Sequence, residues 1–325
     1  MAAGVAKYGK PALQLGVAAL LVWAIFYFRI ISVSDLVGLG RHPWALAFFC
    51  CCMCALYVLS SVRWHLLLGC LDMAPPFAQT LRITYIGSFW AASLLGGMAS
   101  EFSRAYMIFR QSPDAKRKGA ISIVVDKVAS LAALLLWACV CVAFKYDAMS
   151  HSPLFRAVSV FLALGGAFFV LFVGMLFLNR RRLGFSSWVE RRFGGGRIAE
   201  QVLLVTEAFY LYRSRPGVLL SVLGISILNQ GIMVLILYQT GVLLGGVMSF
   251  LDVGISGPLT VLLNMLPISP GGLGVGEVAY AQINAILNPA SSLTVSGTVF
   301  LTFRIISVVT SLPAVLFLFR KGEKR

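Results

Sequence analysis

The sequence predicts an all-α polytopic membrane protein with about six full spans and two re-entrant helical hairpins in an inverted repeat. Three observations predict it. Hydrophobic residues make up 59% of the 325 residues and charged residues only 12%, whereas about a quarter of a soluble domain is charged. Apolar runs near the length needed to cross the hydrocarbon, about 20 residues of helix, recur along the chain. Two apolar stretches are broken by glycine or proline, and each carries ionisable residues at its break. The whole chain, 1–325, reads as one transmembrane domain, because its longest polar stretch, Arg180 to Arg197, is too short to build a separate core.

The first span is Leu13 to Phe28, preceded by Lys7 and Lys10. No small-x-small cleavage site follows it, so it reads as an uncleaved anchor. The second is Trp44 to Val62, ending at Arg63, Trp64 and His65, and Asp72 to Pro76 reads as a turn. The next apolar stretch, Ile83 to Ala99, is interrupted by Gly96 and Gly97 and runs into Glu101 and Arg104. The third span is Ala120 to Phe144, with Asp126 and Lys127 near its start, and the fourth is Leu154 to Leu178. A basic segment follows, and Ile198 to Tyr212 reads as an amphipathic surface helix. Pro216 suits the first turn of a helix running to about Tyr238. A second interrupted region runs from Asp252 to Leu287, broken between Pro267 and Glu277, and the last span is Val295 to Phe319.

The formal charge is +15. Its Lys and Arg cluster between apolar segments, as positive-inside flanks do, and form no basic face joined to an aromatic platform. Nucleic acid is therefore excluded as a partner. If the basic loops are cytoplasmic, both termini are cytoplasmic too. The basic segments 63–82 and 104–118 then flank Ile83 to Ala99 on one side, so that this stretch enters and returns. The Pro-Gly region enters and returns from the other side. Segments 63–144 and 216–319 are then the motif-bearing parts of two inverted units, the sequence pointer to a midplane transport site. The alternative makes the first interrupted stretch a crossing and gives about eight full spans.

The charged residues at the breaks are the candidate binding groups. Glu101 and Arg104 are three apart and share a helix face. Arg104 suits a lipid phosphate, because a guanidinium fork matches phosphate oxygens; the bland reading is an interfacial pair. Asp126 and Lys127 lie inside a span, where charge is costly and is either functional or held in a structural salt bridge to Arg104 or a neighbouring helix. In the Pro-Gly segment, Pro267 and Pro270 exclude a regular helix. Gly271, Gly272 and Gly274 would let backbone N–H groups approach a ligand. Glu277 stands at a helix start, as a binding group or as a cap only, and Arg304 in the last span is a candidate partner for Glu277 or for substrate. Gly96, Gly97, Pro267 and Pro270 are the expected hinges.

Other chemistry fits poorly. Gly254-Ile255-Ser256-Gly257 has the form of an intramembrane serine protease motif, but His42, His65 and His151 all lie upstream, and none follows to take the serine proton. Cys50, Cys51, Cys52 and Cys54 share one helix, on which Cys52 points away from Cys50 and Cys54, so they do not form a four-ligand metal site. No carboxylate array of metal-site spacing is present, and neither a metal nor a cofactor is expected.

The run Leu266 to Glu277, with its Pro-Gly-Gly-Leu-Gly-x-x-Glu core, resembles the signature of the lysylphosphatidylglycerol synthase transmembrane-region (flippase-like) family. Ser100-Glu101-Phe102-Ser103-Arg104-Ala105-Tyr106 is similar to its first motif, Val124 to Leu131 to its Asp-Arg helix, and Arg63-Trp64 fits as well. Ser100 stands where the family usually carries Gly, and Lys127 where it carries Arg. A compact ammonium then replaces a bidentate fork. The resemblance implies a lipid flippase module without the soluble synthase half, and no enzyme activity. It implies a phospholipid or lipid-linked substrate and a bacterial or archaeal cytoplasmic membrane. A separately encoded synthase is a further expected partner. An ion-coupled small-solute transporter and a non-catalytic partner of such a synthase are the rival expectations.

Overall fold

The computed structural model describes residues 32–92, 98–109, 113–149, 153–178, 211–212, 214–266, 268–269 and 272–314. The expected first span, the basic segment with most of its amphipathic helix, and Gly96, Gly97, Pro267, Pro270 and Gly271 lie outside them. Every described element is helical: α1 Val33–Leu39, α2 Pro43–Cys70, α3 Phe77–Ala92, α4 Met98–Phe109, α5 Pro113–Met149, α6 Pro153–Leu178, α7 Pro216–Leu243, α8 Phe250–Asn264, α9 Val275–Leu287 and α10 Leu293–Ser311. Among the described residues, four helices are long and apolar enough to cross a membrane: Pro43–Cys70, Arg117–Tyr146, Pro216–Leu243 and Leu293–Ser311. The chain is an all-α polytopic membrane protein.

The helix starts follow local chemistry. α2, α5, α6 and α7 each begin on a proline, whose missing N–H is one that a first turn leaves unpaired anyway. α8 opens with a reciprocal cap. The Ser249 hydroxyl accepts from the Asp252 N–H at 3.1 Å, and the Asp252 carboxylate accepts from the Ser249 N–H at 3.1 Å. Several helices outrun their sequence estimates. α2 continues two turns past Val62, so Arg63 is interior to a helix and not at its end.

The directions of the helices can be read from their contacts. Asn229 of α7 donates to Ser60 of α2 at 3.2 Å, and Phe49 near the start of α2 packs with Ile236 near the end of α7, so the two are antiparallel. Trp64 of α2 donates to Ser122 of α5, so α5 also starts where α2 ends. α10 runs parallel to α2, tied by Tyr57 donating to the Ser307 carbonyl at 2.9 Å.

Between these long helices lie two pairs of short ones. α3 and α4 fold back on each other: a Cβ on Gly87 would lie 3.1 Å from Ser100 Oγ, and Ile83 and Ile108 share one core with Trp64. The pair opens at the end where α2 finishes and α5 begins. α8 and α9 fold back likewise, with a Cβ on Gly276 only 2.6 Å from Asn264 Nδ2. At their opposite ends Lys145 of α5 joins them, pairing with the Asp252 carboxylate and donating to the Leu287 carbonyl at 3.2 Å. This second pair opens at the other end of the bundle, where α7 finishes and α10 begins.

Candidate functional site

A buried charge cluster joins the first pair of short helices to the long helices around it. Asp126 on α5 receives two guanidinium groups. Arg63 of α2 donates from Nε to Oδ1 at 2.6 Å and from the terminal Nη2 to Oδ2 at 3.0 Å, a bidentate fork. Arg104 of α4 donates from Nη1 to Oδ2 at 2.7 Å. The remaining terminal nitrogen of Arg63 donates to Ser226 Oγ of α7 at 2.9 Å. Four helices therefore meet on one carboxylate. All three charged side chains are buried, each 6% exposed.

Trp64, fully buried, forms the floor, with the Arg104 guanidinium 5.0 Å from its ring centroid. A cation over an indole face gains attraction without a counter-charge. Arg104 Nε has no hydrogen-bond partner among the described residues. The cluster thus holds two positive charges against one negative.

Beside it lies a second pair, Lys127 to Glu101 at 2.8 Å, with side chains 37% and 30% exposed. Glu101 was expected to face Arg104, its neighbour three residues on. It turns instead to Lys127, while Arg104 goes to Asp126. Adjacent residues on α5 point about 100° apart, so Asp126 faces the bundle interior and Lys127 its more open side. Glu101 Oε2 is buried without a hydrogen bond.

The second pair of short helices carries, besides the Lys145–Asp252 pair at its open end, an ion pair at its break. Arg304 Nε of α10 lies 3.2 Å from Glu277 Oε1 of α9, with side chains 15% and 1% exposed. The other Glu277 oxygen accepts from the Gly274 N–H at 2.9 Å, and Arg304 donates from Nη2 to the Gly272 carbonyl at 3.0 Å. Glu277 is therefore both a helix cap and the ion-pair partner of Arg304. Gly272 and Gly274 have φ of +68° and +82°, where a side chain would be strained. Their N–H groups are occupied within the protein: Gly272 donates to the Ser269 carbonyl at 3.1 Å, and Gly274 donates to Glu277. The expectation that these two would present N–H groups to a ligand is corrected. They shape the turn that lets Glu277 and Arg304 meet.

The site residues missed from sequence are Arg63, Ser226 and Asn264. Arg63 was quoted only for the resemblance, because it read as a flank at the end of a span. The signal against that reading was Leu66-Leu67-Leu68, another apolar turn beyond it. Asn264 closes α8, and its amide packs against the backbone at both Gly272 and Gly276. No group of three or more His, Cys, Asp or Glu arranged to hold a metal occurs among the described residues.

Long apolar helices, helix breaks between them and buried ion clusters at those breaks define a polytopic membrane protein with polar machinery inside its helical bundle. Residues 12–314 match the family described as lysylphosphatidylglycerol synthase TM region, and the chain belongs to that family. It is 22% identical over 281 residues to a UPF0104 membrane protein of Methanothermobacter thermautotrophicus, covering 80% of this chain and 79% of that one. No solved structure gives a significant match.

Proposed function

We propose that the protein moves a phospholipid or lipid-linked headgroup between the leaflets of a cytoplasmic membrane, without covalent chemistry and with both termini in the cytoplasm. The observation that carries this reading is the unequal charge of the Arg63–Asp126–Arg104 cluster. A buried ion pair is tolerated when balanced and fully hydrogen-bonded. Among the described residues one guanidinium is in excess, and Arg104 Nε has no hydrogen-bond partner. An anionic oxygen of a lipid phosphate would supply both the missing charge and the missing acceptor. Glu101, whose Oε2 is likewise free of hydrogen bonds, would meet a cationic or hydroxylated part of the headgroup, while the acyl chains stay in lipid.

In this reading each antiparallel pair of short helices is a re-entrant hairpin, entering from opposite leaflets. Segments 63–144 and 216–319 are the inverted units, and exchange of access comes from rocking one against the other. A helix break within the membrane is tolerable where it is buried in protein or lines a wet cavity. The partly open pair at the first break fits the second case, and the buried pair at the second break fits the first. Family membership favours a lipid-related role over a small soluble solute.

The test is reconstitution into vesicles carrying a fluorescent anionic phospholipid, comparing wild type with Arg104→Gln and Glu277→Gln. Arg104→Gln should reduce lipid movement to the protein-free rate while leaving the protein folded. Equal movement in wild type and Arg104→Gln would remove the phosphate role. Saturable uptake of a soluble solute with no lipid movement would move the reading to a solute transporter.

A further inference from the structure

The Arg63–Asp126–Arg104 cluster lies about 10 to 20 Å along its helices from the bundle end where α2 finishes and α5 and α7 begin, at 1.5 Å per residue. Between the cluster and that end lies one apolar layer. Leu67 and Leu71 are one and two turns beyond Arg63, Ile121 and Val125 precede Asp126, and Val222 is one turn before Ser226. All five pack in a single core with Tyr212. Tyr212, Leu67 and Val222 are fully buried.

Tyr212 differs from the rest of this layer. The other five belong to α2, α5 and α7, whereas Tyr212 is inserted from the chain just before α7. Its hydroxyl donates to the Leu67 carbonyl at 2.8 Å, and its own carbonyl accepts from the Arg215 N–H at 3.0 Å. Outside the layer the chemistry turns polar again, with exposed Lys118 reaching the Leu71 carbonyl at 3.5 Å and exposed Arg215 nearby. Toward the start of α4 the cluster adjoins the partly open Lys127–Glu101 pair. The charged cluster is therefore covered by apolar side chains at the α2 end and borders a partly open ion pair on α4 and α5.

We infer that Tyr212 is the removable part of an apolar gate that closes the Arg63–Asp126–Arg104 cluster from the bundle end where α2 finishes. Withdrawing one ring and breaking one hydrogen bond opens the layer, with no change needed in the long helices. The gate role rests on the proposed translocation. The barrier itself does not, and it can be measured without any lipid.

The experiment replaces the seven native cysteines, places one cysteine at Ser226 beyond the layer, and labels it with a membrane-impermeant sulfonate thiosulfonate reagent. The anionic reagent suits the cluster's excess positive charge. Vesicles of each orientation report the side of entry. With Tyr212 in place, labelling is slow. Tyr212→Ala should accelerate it roughly tenfold or more from the α2-end side alone, because the hole left behind connects a polar site to water. Tyr212→Phe, which keeps the ring, should change it much less. Equal labelling with Tyr212 and with Ala, or acceleration only from the opposite side, overturns the gate. If Tyr212→Ala does not accumulate in the membrane, Val222→Ser must give the same one-sided acceleration, and its failure to do so also overturns it. Fast labelling in the opened variant with no lipid movement in any variant would sink the translocation reading and leave the barrier standing.

Discussion

The two helix breaks are built alike and charged differently. At each, the second short helix starts with a glutamate in its first turn, and the following long helix answers with a cation: Glu101 with Lys127, Glu277 with Arg304. In the second break that pair is buried and locked, because Glu277 also caps α9 and Arg304 also holds the Gly272 carbonyl. In the first break the equivalent pair is partly open, and a second, deeper cluster has been added in which Arg104 and Arg63 share Asp126. The second break is a closed structural joint. The first combines a partly exposed pair with a buried charge excess, and the proposed function places its ligand there. The two breaks thus differ in the exposure of their ion pairs and in whether the buried charges beside them balance.

The comparison can be broken most sharply at Asp126. Asp126→Asn leaves two buried guanidinium groups facing one another without a counter-charge. Removing one partner of a buried pair costs roughly 3–5 kcal/mol, so a large fall in detergent melting temperature or membrane accumulation is expected. Glu277→Gln should fall well short of it, since an amide can still accept from Gly274 and Arg304 keeps the Gly272 carbonyl. Equal losses would mean that the two clusters carry the same weight.

Next come the glycines at the helix contacts. A Cβ on Gly276 would lie 2.4 Å from the Phe300 ring and 2.6 Å from Asn264, whereas one on Gly87 would meet Ser100 at 3.1 Å. Gly276→Ala should cost about 1–3 kcal/mol by overpacking and Gly87→Ala less, since hydroxyl rotation relieves it. Thermal unfolding of the two variants orders them. If Gly87→Ala proves the worse, the second joint is not the tighter one.

The smallest stability effect is expected at Lys127. Lys127→Met breaks a partly exposed pair worth roughly 0–1 kcal/mol, so the melting temperature should barely move, while headgroup selectivity in vesicles should change. The exchange Glu101→Lys with Lys127→Glu should restore stability but not selectivity. A drop as large as that of Asp126→Asn would show the open pair to be structural.

Much of this was legible in the sequence. Composition and run length gave the membrane fold, the Pro-Gly segment located the second break, and each charged residue singled out at the breaks proves to lie in an ion pair. The partners were less legible. Helical spacing related Glu101 to Arg104, yet each found its counter-charge on α5, because a neighbouring helix offered an opposite charge at closer approach than a residue three positions along the same helix. Arg63 was read as an interfacial flank until α2 proved to continue beyond it.

By itself, then, the chain determined that it spans a membrane, where its helices break, and which residues place charge at depth. These follow from local rules of hydropathy, proline geometry and the cost of burying charge. Only the tertiary structure decided that Arg63, Arg104 and Asp126 form one uneven cluster, that Glu277 and Arg304 form a buried, charge-balanced pair, and that Tyr212 covers the first. Pairing across helices depends on how several long helices register against one another, and a periodicity of 3.6 residues within one helix carries no information about its neighbour's rotation.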